Sequence, residues 1–150
     1  ELVDKIVKSS KYGQGFATVE YLAASLLDMD YHNMKEQLHG IDIEAFEAEA
    51  MNKRGLIRQI PPRYRTTYFG HTMEGGYTAG YYSYIWAEVL DADAFEAYKE
   101  TGDIFNPEVA SKFRKYVLTP GGIDDAMDMY KNFRGKEPGI EPLLKNRGLK

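Results

Sequence analysis

Residues 69–86 read FGHTMEGGYTAGYYSYIW, and an ordinary surface helix is not written that way. An amphipathic helix repeats aliphatic residues on a 3.6-residue period, with charged residues between them. Here four tyrosines, one histidine and a glycine pair share eighteen positions. Gly75-Gly76 reads as a flexible joint, because glycine adopts backbone angles that other residues avoid. Beyond the joint the spacing predicts a helix running to about residue 99. At about 100° per residue, Tyr77, Tyr81 and Tyr84 fall within one narrow arc of that helix. Tyr82, Ile85, Trp86 and Val89 fall roughly 130° away and form its expected packing face. Glu88 continues the phenol row, so the row is expected to meet water or a polar ligand. Hydroxyl donors beside His71 are suited to gripping carbonyl oxygens.

The rest of the chain reads as helices divided by glycine and proline. Apolar spacing predicts short helices over 2–8, 43–54 and 126–133, the strongest one over 16–31, and a last short turn over 141–147. Gln14 or Thr18 is expected to cap that strongest helix, and His39-Gly40 to close an extension of it. Asp42 is a good cap for 43–54, and Gly55 its stop. Pro61-Pro62 forces extended backbone through 56–65. Residues 102–106 form a loop, after which Asn106 and Pro107 open a further helix that Pro120-Gly121-Gly122 breaks. Asp124 or Asp125 opens 126–133. No period-two run bounded by turn signals survives inspection. The expectation is one all-α domain of about six helices spanning 1–150.

Composition narrows the function classes. A net charge of -4 offers no basic face for nucleic acid. With no cysteine, disulfides and thiolate metal sites are excluded from this segment, and a reducing compartment is compatible. No apolar run approaches the roughly 18 residues of a membrane span. The chain opens on Glu1 in mid-element, so it reads as a piece of a longer protein whose targeting segment would be elsewhere. Cytoplasm is the preferred compartment, with periplasm the alternative.

Most of the remaining polar residues have a bland explanation. His32 and His39 lie seven apart with Glu36 between them, but without a tight zinc motif they are expected to be exposed helix histidines. The carboxylates Glu44, Glu47, Glu49, Asp91, Asp93, Asp124, Asp125 and Asp128 read as solvation and capping. There is no nucleophile-elbow serine. Arg58, Arg63 and Arg65 flank the proline pair, just ahead of the tyrosine segment. They are either soluble decoration or a bidentate cradle for a carboxylate. The tyrosines themselves could equally be aromatic packing.

Phe69-Gly70-His71, Gly75-Gly76-Tyr77 and Tyr81-Tyr82-Ser83-Tyr84-Ile85-Trp86 resemble the F-G-H, G-G-Y and Y-Y-x-Y-x-W pattern of the M3 zinc metallopeptidases, the thimet oligopeptidase family. The run 14–24, the segment Pro61-Pro62-Arg63-Tyr64-Arg65 and the ending elements after Phe133 look most like its peptidyl-dipeptidase branch. The resemblance implies the helical C-terminal portion of a prolate, two-lobed, zincin-like enzyme. It implies one zinc held by an HExxH motif and a further glutamate, both upstream and outside this chain. No metal ligand is assigned here, and the fragment alone is expected to be inactive. It further implies that zinc and the upstream glutamate activate a water, while Tyr84 and His71 donate to the tetrahedral oxyanion. Tyr77 and Tyr81 would hold the peptide backbone, Gly75-Gly76 would let the loop close, and Arg63 with Arg65 would meet the substrate's free carboxylate. The expected partners are a short peptide and the N-terminal remainder of the polypeptide, with dipeptides as products. The alternatives are an endo-acting oligopeptidase of the same family and a non-catalytic helical peptide-binding module.

Overall fold

Recurring apolar residues and the caps at their ends make this chain helical. The computed structural model describes residues 1–36 and 39–150, and all of their regular structure is helix. The helices are α1 (Leu2–Ser10), α2 (Gln14–His32), α3 (Ile43–Lys53), α4 (Gly70–Met73), α5 (Ser83–Lys99), α6 (Pro107–Phe113), α7 (Ala126–Arg134) and α8 (Glu141–Asn146). A 3-10 turn at Thr66–Tyr68 and a π turn at Arg114–Leu118 complete the set. The all-α expectation is met. The residues group into two compact units, Glu1–Ile85 and Trp86–Lys150. The division falls inside α5.

In the first unit α1 forms at its predicted place, yet Leu2, Val3, Ile6 and Val7 are exposed. The hydroxyls of Ser9 and Ser10 bond back to the Ile6 and Val7 carbonyls at 2.9 and 2.8 Å, which carries the helix through Ser10. α2 starts two residues ahead of the predicted boundary, behind Gly13 at φ 70°. A left-handed glycine therefore stands where a Gln14 or Thr18 cap was expected. The Gln14 amide instead reaches back to the Ser10 carbonyl at 2.9 Å. α2 stops at His32 rather than extending toward His39; Asn33 is a turn, Lys35-Glu36 a bend, and 37–38 lie outside the described residues.

The cap of α3 is as expected, with Asp42 Oδ1 accepting from the Ala45 amide at 3.0 Å. α2 and α3 then share a core of Ala23, Leu27, Ala50 and Met51, with Tyr31 and Phe46 packed against it. Leu27 is fully buried, which stabilises the pairing by about 1.5–3 kcal/mol. Arg54 closes the far end with a two-pronged ion pair to Asp30 at 2.5 and 2.7 Å. Glu47 departs from the solvation expected of it. It is buried, pairs with Arg65, and accepts from the Thr66 amide and hydroxyl at 3.0 and 2.9 Å. A buried carboxylate needs such partners to offset its lost hydration.

In the second unit Asn106 caps α6 as predicted, accepting from the Glu108 and Val109 amides at 3.0 and 3.1 Å. Asp125 caps α7 in the same way, at 2.9 and 3.2 Å, and Gly135 ends it at φ 78°. Ala94, Tyr130 and Phe133 form the core, with Phe113, Tyr116 and Val117 against it. Asp93, expected to be a solvated carboxylate, is 3% exposed. Tyr130 donates to it at 2.7 Å and Arg134 at 3.2 Å.

Candidate functional site

The tyrosine segment is built differently from a single helix. α4 ends at Met73 and α5 begins only at Ser83, so residues 74–82 are turns. Tyr77 and Tyr81 therefore do not share a helix face with Tyr84, which corrects the predicted row. The expected packing face fares unevenly: Val89 is buried, but Tyr82 and Trp86 are 51% and 44% exposed. The cause is a phenol from α2. The Tyr21 hydroxyl donates to the Tyr81 carbonyl and accepts from the Ile85 amide at 3.3 Å. Those two groups would bond each other in a continuous helix. A side chain inserted into the ladder ends the regular helix there.

The turns nevertheless bring the four expected residues together. The His71 ring lies 6.1 Å from Tyr77, 5.5 Å from Tyr81 and 6.4 Å from Tyr84, centre to centre. Tyr77 and Tyr84 are 5.0 Å apart. Their roles divide by burial. Tyr81 is 3% exposed, while Tyr77 and Tyr84 are 38% and 39% exposed. Tyr81 is thus a packing hub, edge-on to Phe69 at 5.0 Å and tilted against Tyr21 at 5.1 Å. Burial pushes its phenol up to about 12, with the Arg63 guanidinium pulling the other way. Sharing a hydrogen bond with Tyr77 raises the Tyr84 phenol as well. Both phenols keep their protons at neutral pH and remain donors.

The two glycines are not equivalent. A Cβ on Gly75 would sit 2.7 Å from the His71 carbonyl oxygen, whereas one on Gly76 would meet nothing within 4 Å. The Gly75 amide bonds the Gly70 carbonyl at 2.9 Å, and the Tyr77 amide bonds that of His71 at 3.2 Å. Gly75 is there for close backbone approach, in place of the free joint expected from the sequence. Gly75→Ala is expected to destabilise the protein by about 1–3 kcal/mol through overpacking, whereas Gly76→Ala costs under about 1 kcal/mol. Chemical denaturation of the two variants separates them.

The arginines also divide. Arg65 donates from Nε to the buried Glu47, and its side chain remains 45% exposed. Arg63 is exposed, lies 5.8 Å over the Tyr64 ring and hydrogen bonds Tyr81. Its backbone amide is tied to the Glu20 carbonyl at 3.0 Å. Tyr64 itself stacks on Phe69 at 5.3 Å and touches His71 at 4.8 Å.

Two residues outside the predicted set organise the site. Asp28 of α2 is fully buried and accepts from the Ala79 and Tyr81 amides at 3.1 and 3.0 Å. Ala79 is left-handed, at φ 52°, a conformation that costs an L-residue about 1–2 kcal/mol. His32 Nδ1 meets the same carboxylate at 2.8 Å and is mostly buried, so it is not the exposed helix histidine expected. Tyr21 is the second such residue. The available signal was their spacing: Tyr21, Ala24 and Asp28 recur at i, i+3 and i+7 on one face of α2, and a carboxylate on an apolar stripe must find buried donors.

Among the described residues no group of three histidine, aspartate or glutamate side chains could hold a metal ion, so they do not fit as a zinc site. No described helix is long and apolar enough to cross a membrane.

Residues 1–149 match the model of Peptidase family M3. The chain is 38% identical over 150 residues to the dipeptidyl carboxypeptidase of Escherichia coli strain K12, covering 99% of this chain and 22% of that protein. It is 37% identical over 151 residues to oligopeptidase A of the same organism, covering 100% and 22%. Similarity to the probable cytosolic oligopeptidase A of Arabidopsis thaliana is 34% over 148 residues, covering 97% and 21%. The chain spans about a fifth of the length of the curated relatives it matches.

Proposed function

We propose that this chain, which belongs to peptidase family M3, is the C-terminal substrate-binding part of a zinc metallopeptidase that hydrolyses short peptides and releases C-terminal dipeptides. The observation that carries this reading is the accessible pair of hydrogen-bonded phenols, Tyr77 and Tyr84, gathered around His71. Donors held in place before the reaction stabilise developing negative charge without reorganising when it appears. Tyr84, with His71 beside it, donates to the oxyanion formed when the scissile carbonyl is attacked. Tyr77 holds the peptide backbone, and Tyr81 acts from beneath as the support of both. Arg63 meets the free carboxylate of the substrate, since it is exposed and its guanidinium bonds Tyr81 within this cluster, while Arg65 is paired with Glu47. Zinc belongs to the proposal through the family, with ligands in the remainder of the polypeptide, so the isolated chain is inactive. A cytoplasmic location is part of the same proposal.

The test uses the full-length protein and short peptides with free or amidated C-termini, followed by mass spectrometry. Hydrolysis is expected to stop on chelation and return with zinc, and dipeptides are expected to accumulate only from free carboxyl ends. Failure of the zinc-loaded protein to cleave any peptide overturns the reading. Internal fragments in place of dipeptides would favour the endo-acting alternative, which the near-equal identity to oligopeptidase A supports.

A further inference from the structure

In the turn segment 74–82 the amides of Glu74, Gly75, Tyr77 and Gly80 bond backbone carbonyls. Those of Ala79 and Tyr81 turn to a side chain instead, and buried backbone donors have to be satisfied somewhere. Two α2 side chains, seven residues apart, do this. Asp28 takes the amides of Ala79 and Tyr81, and Tyr21 takes the carbonyl of Tyr81 and the amide of Ile85. Tyr81 thus has its amide and its carbonyl both held from α2. Tyr77 precedes that anchor by four residues and Tyr84 follows it by three. The strained φ of 52° at Ala79 persists because the carboxylate holds its amide. We infer that Asp28 is a positioning residue for the reaction, its buried carboxylate setting the register of the turn from which Tyr77 and Tyr84 reach the substrate.

His32 completes the arrangement. Its Nδ1 lies 2.8 Å from Asp28 Oδ1 and 2.9 Å from the Asp28 carbonyl, so one carboxylate oxygen takes His32 and Ala79 while the other takes Tyr81. Asparagine at this position has the same shape but replaces one acceptor with a donor. Asp28→Asn therefore sets an N–H against an N–H on one side of the turn without opening a cavity.

This inference rests on the oxyanion role proposed for Tyr84, and a double-mutant cycle in the full-length protein tests it. With a short peptide of free C-terminus as substrate, Asp28→Asn is expected to lower kcat by up to about 10²-fold, the cost of roughly 1 Å of misplacement. KM is expected to rise by no more than it does in Tyr77→Phe, whose hydroxyl the same turn carries. In a Tyr84→Phe background the same substitution is expected to lower kcat by less than about threefold, because the donor being positioned is gone. An equal loss in both backgrounds, or none in the wild type, overturns the inference.

A second readout separates this from the Tyr84 reading itself. If Tyr84→Phe alone retains full kcat, the oxyanion role fails, and the cycle gives way to fluorine NMR of protein labelled with 3-fluorotyrosine. Asp28→Asn is then expected to shift the Tyr77 and Tyr84 resonances while leaving Tyr12 and Tyr116 in place. Unmoved Tyr77 and Tyr84 signals overturn the positioning role. Should Asp28→Asn fail to fold, Tyr21→Phe removes the second anchor and is read by the same cycle and the same resonances.

Discussion

Tyr84→Phe is expected to lower peptide turnover by ~10²–10³-fold in the full-length protein, with KM little changed. Phenylalanine keeps the ring, so the contacts with Tyr77 at 5.0 Å and Tyr81 at 5.5 Å remain. The hydroxyl is lost, and with it the hydrogen bond shared with Tyr77. An interaction realised mainly in the transition state appears in kcat, whereas one made equally to the bound peptide appears in KM. The neighbouring hydroxyl provides a contrast. Tyr77 is just as exposed as Tyr84, yet the proposed function gives it the peptide backbone, so Tyr77→Phe should act more on KM. Steady-state kinetics on the two variants distinguishes a donor to the oxyanion from a general grip on the substrate. Full turnover by the Tyr84 variant would remove it from the chemistry.

Arg134→Ala has the largest expected effect on stability, about 3–5 kcal/mol, because it strands a buried charge. The Arg134 side chain is 7% exposed and that of Asp93 is 4% exposed. Its guanidinium also takes both Glu100 oxygens, at 2.8 and 2.6 Å. Without it, Asp93 would keep the Tyr130 phenol and lose the guanidinium it pairs with. Burial and that carboxylate together raise the Tyr130 phenol well above its usual value, so it stays protonated and keeps donating to Asp93. Guanidinium titration should show a lower midpoint at unchanged slope. Replacing both partners, with Asp93→Asn and Arg134→Met, should recover part of the loss, since a removed pair costs less than a broken one. A double variant as unstable as the single would mean that packing, and not charge, is what Arg134 supplies.

Local rules were readable wherever a side chain satisfies its own neighbourhood. Asp42, Asn106 and Asp125 cap the helices they precede, because capping spans only two or three residues. The membership of the aromatic cluster was also legible, since His71, Tyr77, Tyr81 and Tyr84 do meet. Its geometry was not. Periodicity predicted a helix from the glycine pair onward, and a phenol sixty residues earlier in the chain interrupts it. The burial of Glu47, Asp93 and Asp28 escaped for the same reason: their partners Arg65, Arg134 and Ala79 lie 18, 41 and 51 positions away. A carboxylate in a helical pattern reads as solvated until its distant partner is known. Gly75 is a subtler case, since a close backbone approach and a hinge place the same residue in the sequence.

The grip of Asp28 on amides 51 and 53 residues downstream also governs the order of assembly. Helix α2 can wind from local contacts within microseconds, but the phenol cluster requires a loop of that length to close first, at an entropic cost that only the completed contacts return. During synthesis α2 therefore emerges as a template with its carboxylate waiting. The aromatic cluster matures only after the tyrosine segment has left the ribosome and folded back upon it.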